Sequence, residues 1–109
     1  MALLELKFAT ENGGEEMVVK DRLTGLAVKE VLKFLSKFEN EELDAVDALD
    51  ESVNVLVTVY NSPSVNYDRI MNDLIFDGDK GFFNTILEQL YTVTAGKKQA
   101  TKIMEAVSE

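Results

Sequence analysis

Apolar and charged positions along this chain follow two rhythms. Leu4-Glu5-Leu6-Lys7-Phe8 alternates strictly, the period of a strand with one buried face. Asn12-Gly13-Gly14 follows, with the tolerance of positive φ that a hairpin turn requires. Met17-Val18-Val19 then offers a second strand. Residues 3–20 therefore predict a β-hairpin.

From Thr24 the rhythm becomes helical. The Thr24 hydroxyl can accept from the first free amides of a helix over 25–39. Ala27, Val28, Val31, Leu32, Phe34, Leu35 and Phe38 fall on one side of that helix, with Phe34, Leu35 and Phe38 expected in the core. Lys29, Lys33 and Lys37 stack on the other side at i, i+4 and i+8. Asn40 reads as the cap of a short acidic helix, Glu41 to Ala48, and Asp50 as a second cap. Residues 51–61 are ambiguous. Val53, Val55, Val57 and Val59 alternate as in a strand, while Val53, Leu56, Val57 and Tyr60 form a helical stripe. The residue pattern by itself leans to strand.

Pro63 marks a loop, and Asn66 caps a predicted helix from Tyr67 to Phe76. After the Asp77–Gly81 turn, Phe82 to Ala95 is helical by spacing, with Gly96 in the position that a left-handed C′ residue prefers. Ala100, Ile103, Met104 and Val107 support a last short helix. The predicted fold is a mainly α, small helical domain with an N-terminal β-hairpin, α+β being the alternative. One domain spans 1–109, its helical part covering 25–107.

Composition narrows the possible chemistry. The 109 residues suffice for one core. There is no cysteine and no histidine, so no disulfide, thiolate ligand, thiol nucleophile or Ser-His-Asp triad is available. No phosphate-binding glycine loop or metalloprotease motif occurs. Met1-Ala2-Leu3-Leu4-Glu5 has neither a basic nor a long apolar region, so no secretory signal is expected. No apolar run is long enough for a membrane span, which makes a reducing cytosol the expected compartment.

The charge of −9 is uneven: residues 1–38 are net zero, 39–79 are net −10 with Arg69 the sole basic group, and 80–109 are net +1. Such a surface repels phosphate backbones and anionic membranes, so neither nucleic acid nor membrane is an expected partner. Asp77, Asp79 and Glu88 match three positions of an EF-hand loop, but Phe82 stands where its obligatory glycine belongs. No metal, no cofactor and no catalytic activity are expected.

Two features point to partners. Phe82, Val93, Ile86, Leu90, Phe83, Leu87 and Tyr91 span about half a helical wheel at ~100° per residue, where a surface helix needs about 100°. The excess edge, Phe83, Leu87 and Tyr91, is either covered by a second helix or free as a partner groove or self-association surface. The stripe of Lys29, Lys33 and Lys37 is either a solvated face or a docking site for an acidic partner.

The stretch LKFLSKFENEELDAVDALDESVNVLVTVYNSPSVNYDRIMNDL, residues 32–74, resembles the tail assembly chaperones of long-tailed siphophages infecting Gram-positive hosts. The shared pattern is an amphipathic helix, an acidic connector and a helix ending in an aromatic-Asn pair, here Tyr60-Asn61. A short loop, an apolar residue, a cap and an acidic helix follow, here Val65, Asn66 and Tyr67-Asp68-Arg69-Ile70. Val65 replaces a usual aromatic and Asn66 a usual Thr or Ser, with both roles kept. The resemblance implies that residues 51–61 are helical. It also implies a protein of the host cytoplasm that binds the tape measure protein, recruits tail tube subunits and is absent from the finished virion. A competing reading of the acidic third is a nucleic-acid mimic that blocks a DNA-binding enzyme. Against it, Asp44, Asp47, Asp50 and Glu51 alternate with Val46 and Leu49 instead of forming one charged face.

Overall fold

Alternation survives in strand β1, Leu4–Ala9, whose Leu4, Leu6 and Phe8 point inward while Glu5 and Lys7 face out. These residues belong to a computed structural model that describes residues 3–107. The readings of Met1-Ala2 and of the Val107 side chain fall outside the described residues. Strand β2, Glu15–Lys20, pairs antiparallel with β1, Leu6 opposite Val18. The turn closes through Thr10 and Gly14, and Gly13 takes a φ of +79°.

Helix α1, Gly25–Glu39, starts where predicted, the Thr24 side chain accepting from the Ala27 N–H at 3.1 Å. Its end corrects the reading of the acidic connector. Glu41 adopts φ +58°, its N–H bonding the Phe38 carbonyl, and the Glu42 N–H bonds the Lys37 carbonyl. This pair of bonds is a Schellman closure, so Asn40 and Glu41 terminate α1 and do not open a helix. Helix α2, Ala45–Tyr60, is capped by Asp44, which accepts from the Asp47 N–H at 2.8 Å. Asp50 lies inside α2 and caps nothing.

Residues 51–60 are thus helical, against the lean of the valine alternation. Ser52, Val53, Val55, Leu56, Val59 and Tyr60 are buried at helical spacing. The outer edge of β1 is held by the Leu74 segment instead: Phe8 bridges Leu74, and Lys7 O accepts from the Ile75 N–H at 2.9 Å. The buried Ser52 hydroxyl satisfies itself on the Leu49 carbonyl at 2.7 Å, so the helix carries it without an orphaned donor.

Helix α3, Tyr67–Asp73, opens on Asn66 as predicted, but it stops three residues short of Phe76 because Leu74 leaves the helix to meet β1. Helix α4, Phe82–Ala95, and helix α5, Lys97–Val107, form a tight corner at Gly96. Gly96 is not left-handed helical as expected; φ +87° with ψ 157° is a region essentially restricted to glycine. Val31, Phe34, Val53, Leu56, Ile70, Ile86, Leu90 and Met104 join the inward face of β1 in one continuous core. The structure is therefore mainly helical, with five helices and an N-terminal hairpin among the described residues.

Glu41 supplies a test of the α1 closure. A left-handed non-glycine residue costs about 1–2 kcal/mol, and glycine adds about 0.5–1 kcal/mol of unfolded-state entropy. Glu41→Gly should therefore stabilise the protein, by about 0.5–1 kcal/mol on urea unfolding. A loss of stability would contradict the assigned closure.

Candidate functional site

The apolar edge of α4 is used for folding. Leu87 and Tyr91 are buried, and Phe83 is half-buried with its ring edge-on to Phe38 at 5.6 Å. The Tyr91 hydroxyl donates to Glu39 at 2.9 Å, tying α4 to the end of α1. Phe83 and Tyr91 meet α1 within the same chain, so of the two readings of this edge the covered one describes Leu87 and Tyr91, which are buried. A helix with an apolar face half a wheel wide here simply contacts several neighbours.

The open apolar surface lies instead on α1. Leu32, grouped with the core positions by the wheel, is 54% exposed. Its place was readable, since at ~100° per residue it sits about 140° from Ala27, at the margin of the buried arc. Leu32 stands in a shallow trough between the small residues Gly25 and Ser36, with half-buried Val28 beside it and Lys29, Lys33 and Lys37 along one rim. On its other side a groove runs between α1 and the α4–α5 corner to Ile103.

The three lysines are not equivalent. Lys37 bonds Glu51 of α2 at 2.9 Å. That hydrogen bond, and then the charge of Glu51, raises the Lys37 pKa above the usual lysine value. Lys33 reaches Glu30 on its own helix at 3.4 Å. Lys29 makes no ion pair among the described residues. The rim available to an acidic partner is therefore Lys29 and Lys33, and Lys37 serves to join α1 to α2.

The acidic third is partly absorbed in the same way. Asp44 caps α2, Glu51 holds Lys37, and Asp50 accepts from the Tyr67 hydroxyl at 2.6 Å. In the 77–81 turn, Asp77 accepts from the Asp79 N–H at 2.9 Å, while Glu88 lies within α4 and pairs with Lys80. Among the described residues no three carboxylates gather as a metal site, and no helix is long and apolar enough to cross a membrane. The chain matches no protein-family profile, no curated protein and no solved structure.

Tyr91 gives the α1–α4 contact a pH signature. Burial, and then its hydrogen bond to Glu39, pushes its pKa up from 10.0 to about 12. The folded state thus favours the neutral phenol. This contribution is complete below pH 10 and is lost as pH rises towards 12. Melting temperature should fall across that interval, and Tyr91→Phe should show a shallower fall. Equal slopes would place Tyr91 outside the contact.

Proposed function

We propose that this chain is a tail assembly chaperone of a long-tailed bacteriophage. In this reading it works in the host cytoplasm, holds the tape measure protein, recruits tail tube subunits to it and leaves before the virion is complete. No catalytic role is proposed. The carrying observation is the outer face of α1, where Leu32 is exposed in a trough rimmed by Lys29 and Lys33. A tape measure protein is a long helical chain. One of its amphipathic helices would lay an apolar stripe along Val28 and Leu32 and set its acidic flank against the two lysines.

The local structure at the residues that carry the family resemblance supports the reading. Asn61 ends α2 in a left-handed conformation, φ 45° and ψ 51°. Val65 is buried, and Asn66 caps α3 by accepting from the Arg69 N–H at 2.8 Å. The nucleic-acid mimic draws less support, since Asp44, Asp50 and Glu51 are engaged internally.

Co-purification with tape measure fragments tests the proposal. Leu32→Asp should leave stability within about 0.5 kcal/mol, as an exposed substitution does, and should abolish capture. Leu87→Asp should unfold the domain, because its carboxylate would be buried without a partner. Wild-type protein that captures no fragment, or a folded Leu32→Asp variant that captures as well as wild type, would overturn the assignment.

A further inference from the structure

The two-stranded sheet is closed along one edge and open along the other. On the closed edge, Lys7 O accepts from the Ile75 N–H at 2.9 Å and Glu5 O from Gln89 Nε2 at 3.0 Å. Odd-numbered residues of β1 therefore turn their peptide groups away from β2. Glu5 pairs with Val19 and Lys7 with Met17, so Met17 and Val19 turn theirs away from β1. Among the described residues, nothing outside the hairpin bonds those groups. Their side chains are also open, at 49% and 47% exposure. An edge with unpaired peptide groups and exposed apolar side chains is a template for another strand, and no proline or bulge interrupts this one.

We propose that a second copy of this chain fills that edge, β2 lying antiparallel to β2 of its partner about a two-fold axis at Val18. The strand is self-complementary in this register. Each Met17 stands opposite a Val19, and the outward peptide groups of these residues form four hydrogen bonds between the copies. Val18 meets Val18 at the axis, in the closely spaced, non-hydrogen-bonded kind of pair. Each Glu16 stands opposite a Lys20 of the other copy, so two opposite-charge pairs flank the apolar centre. These pairs add to the bonds that the same side chains make within their own chain, Glu16 with Arg69 and Lys20 Nζ with the Tyr60 carbonyl.

Neighbouring registers lack this agreement. Centring on Met17 sets Glu15 against Val19 and Glu16 against Val18. Centring on Val19 sets Met17 against Asp21 and Val18 against Lys20. In the favoured register the one like-charge pairing, Glu15 with Asp21, lies beyond Lys20, where the strand has ended. The product is an isologous dimer with a continuous four-stranded sheet. It uses no residue of the Val28–Leu32 face, so this proposal and the tape measure reading stand or fall separately.

Sedimentation equilibrium of the full chain from micromolar to millimolar concentration tests the dimer. The mass should rise with concentration from 12.2 kDa towards twice that value. Met17→Pro removes the outward N–H, which an edge strand tolerates, and should keep the circular dichroism of the wild type while holding the mass at the monomer. Glu16→Lys and Lys20→Glu each also lose a bond within their own chain, so they are compared as folded variants with the circular dichroism of the wild type. Each should weaken self-association several-fold, whereas their equimolar mixture should restore a dimer. A wild-type chain that stays monomeric at millimolar concentration would overturn the proposal. So would a folded Met17→Pro variant that still dimerises. If Met17→Pro does not fold, the mixture decides: failure to restore the dimer overturns the register.

Discussion

A two-stranded sheet is marginal by itself in water, and most of this architecture follows from how one is closed. Leu4, Leu6 and Phe8 bring one apolar face, and the helices exist in the arrangement that covers it. Gln89 of α4 donates to Glu5 O of β1 while accepting from the Tyr60 hydroxyl of α2 at 2.8 Å. One amide side chain thus holds the hairpin and two helices together. Arg69 of α3 stacks 4.5 Å above the Phe8 ring, bonds Ser64 O at 2.8 Å and pairs with Glu16 of β2. The single cation of the acidic third is therefore the clamp between that segment and the sheet. Closing the β1 edge also ends α3 at Leu74. What remains unclosed is the edge of β2.

Local signals were legible where the deciding interaction is local. The period-2 pattern of Leu4 to Phe8, the Thr24 and Asn66 caps and the limits of α1 and α4 all depend on neighbours within a turn or a hairpin. Signals failed where a distant group decides. Leu74 leaves its helix to bridge Phe8, 66 residues earlier in the chain, and nothing within Tyr67–Phe76 announces that. Glu41 closes α1 although it is not glycine, which propensity alone disfavours. The valines of α2 alternate as strand residues do, yet as a helix the segment buries Val53, Leu56, Val59 and Tyr60 in a core that other elements complete.

The same distinction separates core from surface. A wide apolar face on α4 suggested a partner site, yet Leu87 and Tyr91 are core because α4 is central. A narrower face on α1 looked complete, yet Leu32 lies just outside its buried arc. Width alone does not mark a binding surface; what matters is whether the rest of the chain can cover it. The proposed function rests on this difference: the α4 edge maintains the fold, and the α1 face remains for a partner.

That claim is tested most directly by methyl NMR during titration with a tape measure fragment. The Leu32 and Val28 methyl resonances should shift saturably while those of Leu87 and Ile86 stay in place. Shifts centred on Leu87, or none on α1 under conditions where the fragment binds, would contradict it.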